Sequence, residues 1–260
     1  MRAGDLLLLL LIGASLAGLA ADGASEGAFG AWLDEHLSAA GLTAGRILGW
    51  IGLVLSPLIL LPLLSGFWGR FAALPGGLET ALRRAALTID AISITIGDAV
   101  RWSALALVVI TAVIVIQRYV FGVSITGLQE SVIYLHSILF LQSSAATLLN
   151  GGHVRVDIIY SKLSERARAW TDMAGVYLAL IPMSWLILET SRSYVGGAWR
   201  ILESSRESDG LPLVFLLKTA IPVFAVMMIL QGLSMAARAA LTLAGRDAPP
   251  AGENAGDHEL

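Results

Sequence analysis

The chain has 260 residues, of which 56% are hydrophobic and only 14% charged, with a mean hydropathy of +0.75 and a formal net charge of −3. A soluble domain carries about 25% charged residues, so roughly half the usual solvating surface is missing. The absence of cysteine excludes disulfides, thiol catalysis and Cys-ligated metal sites. No basic stripe with interleaved aromatics marks a nucleic-acid surface.

Charge is also unevenly placed. Residues 47–69, 131–152 and 219–237 contain no Asp, Glu, Lys or Arg, and neither do 102–117 and 173–188. A bilayer core about 30 Å thick takes about 20 apolar helical residues, a length these windows reach with their flanks. The pattern predicts an all-α integral membrane protein.

Residues 1–21 read as one base, a short apolar run and small residues near Gly18 and Ala20, which fits a cleaved signal peptide or an uncleaved signal anchor. The polar segment 22–46 is predicted to be periplasmic. An extra transmembrane helix is expected over 47–69, bent where Pro57 and Pro62 interrupt the apolar run. Across 70–101, Leu78, Leu82, Ala85, Ile89, Ile92, Ile96 and Val100 recur at three- and four-residue spacing with charged residues between them. That is an amphipathic helix, predicted to lie in the cytoplasmic interface. Four further spans are expected near 102–121, 129–150, 172–195 and 211–237, making a membrane domain over 102–237, followed by an acidic tail, 238–260. No internal repeat is visible, unlike many secondary transporters.

Lys and Arg counts orient the chain. Eleven bases fall to the side of Arg2, the 70–101 helix, the 151–171 connection and the tail, against six on the other. The first side, with the C-terminus, is predicted to be cytoplasmic.

Four histidines occur, and only His136 lies in a span. No metalloprotease, nucleophile-elbow, phosphate-loop or dinucleotide motif is present. Catalytic residues, cofactors and metals are therefore not expected. Polar side chains at or near membrane depth default to function, here read as structure or partner contact. Arg118 closes one helix and Glu130 opens the next, suggesting an ion pair across the hairpin. Lys218 sits inside the last span with no acid nearby in sequence, and either snorkels outward or offers a polar contact to a partner. Gln142, Glu189 and Gln231 are further polar groups of the spans. Gln129, His136, Ser143 and Asn150 recur every seven residues, a spacing suited to close helix packing.

The segments QRYVFGVSITGLQE, YLHSILFLQSSAATLLNGGHVRVDIIY and GLPLVFLLKTAIPVFAVMMILQG occur in this order. Together they resemble the small permease (DctQ-like) subunit of tripartite ATP-independent periplasmic (TRAP) transporters, nearest the mannitol/chloroaromatic branch. The resemblance runs from about Asp90 to Leu243. It implies a four-helix small-permease core after an interfacial helix, and the extra N-terminal helix has no counterpart in it. It also implies an inner-membrane scaffold subunit supporting a large permease in sodium-coupled uptake of organic acids or related compounds, delivered by a periplasmic binding protein. In the GGHVRVD turn, His153, Arg155 and Asp157 would anchor the loop against helix ends and interfacial lipid. A structural subunit of another membrane complex and a stand-alone oligomeric channel or carrier are the other readings of the residues.

Overall fold

In a chain that must satisfy its backbone without water, apolar charge-free runs become helices, because every N–H then finds its acceptor within the segment. The computed structural model describes residues 2–69, 71–152 and 160–252. In order, α1 spans Ala3–Ala24, α2 Ala28–Leu55, α3 Leu61–Trp68, α4 Gly76–Val100, α5 Trp102–Val120, α6 Thr126–Leu149, α7 Glu165–Gly175, α8 Ile181–Arg200 and α9 Val214–Leu243. No strand occurs among the described residues.

Among the described residues, six helical stretches are long and apolar enough to cross a membrane: Ala3–Ala24, Ala28–Trp68, Gly76–Val120, Thr126–Leu149, Glu165–Arg200 and Val214–Leu243. The chain is an all-α, multi-pass membrane protein. At 1.5 Å per residue, the 41-residue and 45-residue stretches are about twice as long as a bilayer core requires. The first of these stretches includes residues 28–46, and the second includes all of α4.

Two helices carry backbone breaks. The Pro57/Pro62 bend is a five-residue 3-10 segment, Ser56–Leu60, between α2 and α3. Pro57 has no N–H to offer Leu53, and the Ser56 hydroxyl donates to that carbonyl instead, at 2.7 Å. Between α7 and α8 lies a π segment, Val176–Leu180. Its Tyr177 hydroxyl donates to the Ile59 carbonyl at 2.5 Å, so one irregular backbone is tied to the other.

The chain divides into two compact units. The first comprises Met1–Ile51, Thr95–Ser143 and Thr190–Val223. Within it Gly41 lies directly on the Trp199 ring, where a side chain would collide. Trp199 also packs edge-on to Phe215 at 4.9 Å and donates to Thr219 at 2.8 Å.

The second unit comprises Gly52–Ile94, Ser144–Glu189 and Phe224–Leu260. Its core sets Leu82 and Ala86 of α4, Met173 and Val176, and the alanine-rich end of α9 together. The buried face of α4 is Leu82, Ala86, Asp90 and Ser93, whereas Ala85 and Ile92 of the predicted apolar stripe are exposed. Lipid is as apolar as leucine, so helices in a membrane gain by packing small and hydrogen-bonding residues together and leaving large aliphatics outside. The predicted stripe is therefore right at Leu78 and Leu82, which pack in the core, and misses the buried Asp90 and Ser93 beside it.

Arg238, expected to open the tail, lies within α9, which continues to Leu243. The helix ends in a Schellman turn, with Gly245 at φ 68° and the Arg246 N–H returning to the Leu241 carbonyl at 2.9 Å. The chain then folds back. Arg83 donates to the Asp247 carbonyl at 2.6 Å, and Arg238 to those of Pro249 and Pro250 at 2.9 and 3.2 Å.

Candidate functional site

The second unit holds a charge pair within its helical core. Asp90 is 6% exposed. Its Oδ2 accepts from Arg238 Nη2, and its Oδ1 accepts from Ser234 Oγ at 2.7 Å and Gln231 Nε2 at 3.2 Å. Arg238 also donates to Ser234 Oγ at 2.6 Å, and Ser93 Oγ donates to Gln231 Oε1 at 2.8 Å. Buried charge is tolerable only when paired and fully hydrogen-bonded, and this arrangement meets both conditions. Gln231 is thus a structural residue wholly inside the chain.

The first unit has two polar anchors around the connection 201–213. Glu130, in the first turns of α6, accepts from Ser205 Oγ at 2.5 Å and from the Leu211 N–H at 2.6 Å. Lys218 reaches Glu203 at 2.5 Å and stands 4.0 Å over the Tyr194 ring. Both expectations for these residues are corrected. Arg118 is exposed and forms no ion pair among the described residues, because the Glu130 oxygens are taken by the connection. Lys218 pairs instead of snorkelling, since the loop brings Glu203 back to it. Gln142, buried on α6, donates to the Ala220 carbonyl at 3.0 Å, within the turn that Pro222 weakens.

The seven-residue stripe on α6 faces outward for most of its length. Gln129, His136 and Asn150 are exposed, and Ser143 is half-buried. His136 lies nearly parallel to Phe140 at 6.3 Å. The buried face of α6 is Gln142, Ala145 and Leu149, beside the stripe. His153, Arg155 and Asp157 lie outside the described residues. Asp90, Ser93, Ser234 and Arg238 were missed as a constellation, and Glu203 was missed as the partner of Lys218. The available signal was the small-and-polar run Ala86, Asp90, Ser93 on one face of α4 facing Gln231, Ser234 and Arg238, itself at three- and four-residue spacing.

The family model described as "Tripartite ATP-independent periplasmic transporters, DctQ component" matches residues 107–242, more than half of the chain. The chain belongs to the DctQ family. That family is a transporter component. Comparison with curated proteins and with solved structures returns no match. The DctQ match begins inside α5 and ends at α9, so it includes Glu130, Glu203, Lys218 and Arg238. Asp90 lies outside it, yet supplies the carboxylate that Arg238 requires. The α4 helix is therefore wired into the DctQ core although the match does not reach it.

Proposed function

We propose that this chain is the fixed scaffold subunit of a TRAP transporter in the bacterial inner membrane. It supports the large permease subunit in sodium-coupled uptake of organic acids or related compounds handed over by a periplasmic binding protein. The observation that carries this reading is that two of its bases, one in each unit, are committed to acids of the chain itself. Asp90 holds Arg238, and Glu203 holds Lys218. Charges spent on internal pairs fix helices in place, which suits the static part of a transporter.

The order of the three sequence segments supports a reading nearest the mannitol/chloroaromatic branch. The base asymmetry supports a cytoplasmic side for α4 and the C-terminal tail and a periplasmic side for 122–127 and 196–210. The outward stripe Gln129, His136, Ser143 offers polar and small groups to the large permease.

Reconstitution tests the reading. Proteoliposomes holding this chain alone take up no organic acid under a sodium gradient. Those holding it with the large permease, supplied with the binding protein, do. Saturable sodium-dependent uptake by the purified chain alone would refute the scaffold role.

A further inference from the structure

The α1 helix is the segment whose sequence allowed two fates, removal or retention. Its first turn makes specific contacts. Gly4 is buried, and a Cβ there would run into the Thr95 carbonyl, with Asp98 Cβ at 2.5 Å and the Ala99 nitrogen at 2.6 Å. Two of these three are backbone atoms of α4, which cannot swing aside as a flexible side chain would. One residue on, Asp5 Oδ1 accepts from Arg101 Nη2 at 2.8 Å and from the indole N–H of Trp102 at 3.0 Å. Its Oδ2 accepts from the Arg2 N–H at 3.0 Å. Arg2 and Arg101 both reach Asp98 Oδ1, at 2.9 and 3.0 Å. Two acids and two bases thus close a neutral ring around Arg101, the single residue between α4 and α5.

The rest of α1 is loosely held. Gly13 has nothing within 4 Å of a hypothetical Cβ, and Gly18 meets only Phe29, at 3.9 Å. Arg2 is largely exposed, and exposed ion pairs contribute little by themselves. The close approach at Gly4 and the several donors on Asp5 therefore carry the contact.

We propose that α1 is a permanent brace of the α4–α5 joint, docked through Gly4 and Asp5. This is independent of the scaffold reading, because it concerns how the chain holds its own helices.

The test uses the full chain, purified from membranes by a C-terminal tag. Its intact mass includes residues 2–24; a mass beginning near Ala21 overturns the proposal. Gly4→Leu lowers the apparent Tm by about 5 °C, as overpacking against fixed atoms does. Gly13→Leu, on the same helix in open space, leaves it unchanged. Gly4→Ala gives a smaller fall in the same direction and keeps the comparison readable if the leucine variant does not accumulate. Equal melting of the Gly4 and Gly13 variants overturns the docking even where the mass is full-length.

Discussion

Two carboxylates show how differently one side-chain type is used here. Asp90 is enclosed by Arg238, Ser234 and Gln231, so its removal leaves a cation whose partners among the described residues are Ser234 and two proline carbonyls. Breaking such a pair on one side costs about 3–5 kcal/mol, whereas replacing both partners with apolar groups is often neutral. Asp90→Ala should therefore lower the apparent Tm of the purified subunit strongly, and Asp90→Leu combined with Arg238→Met should recover most of the loss. Glu130 works at a surface connection. Its two oxygens hold Ser205 and the Leu211 N–H, which bracket the exposed Arg206. Glu130→Ala should free that loop and speed trypsin cleavage after Arg206 about tenfold, through easier local opening. Glu130→Gln, which keeps an acceptor, should fall between. Digestion time courses in detergent decide it.

At the scale of helices, the positions of α5, α6 and α9 were legible because a charge-free run of the right length in lipid has only one way to satisfy its backbone. Pro57 and Pro62 likewise announced a break. The orientation of α4 was legible only in part: Leu78 and Leu82 of the apolar stripe do pack in the core, but burial then passes to Ala86, Asp90 and Ser93 and leaves Ile92 outside. Nor was the Lys218–Glu203 pair, which depends on the path of the loop. The π segment had no visible signal, and it becomes intelligible only beside the 3-10 break it touches. Tyr177→Phe removes the donor to Ile59 and should cost about 0.6–1.5 kcal/mol, read as a small fall in apparent Tm. Gly41→Leu should cost more, because the Trp199 ring it would strike is rigid and already wedged against Phe215.

For the molecule as a whole, eleven bases against six predict which ends face the cytoplasm. Reporter fusions at Lys162 and after Gly252 should behave as cytoplasmic, and fusions at Val123 and Arg206 as periplasmic. A periplasmic signal at Lys162 would reverse the layout. Fusion after Arg238, which the sequence alone would have recommended, cuts through α9 and should destabilise the chain. The returning segment beyond α9 has a different consequence. Arg83 and Arg238 address the main-chain oxygens of Asp247, Pro249 and Pro250. Every residue presents such an oxygen whatever its side chain, so the donors read a path and not a spelling. Exposed positions such as Asp247 and Pro250 are free to drift in composition over evolutionary time. The distance from Leu243 to Gly252 is not free, because deleting one residue shifts every oxygen by a step and leaves the two guanidinium groups aimed at the wrong places.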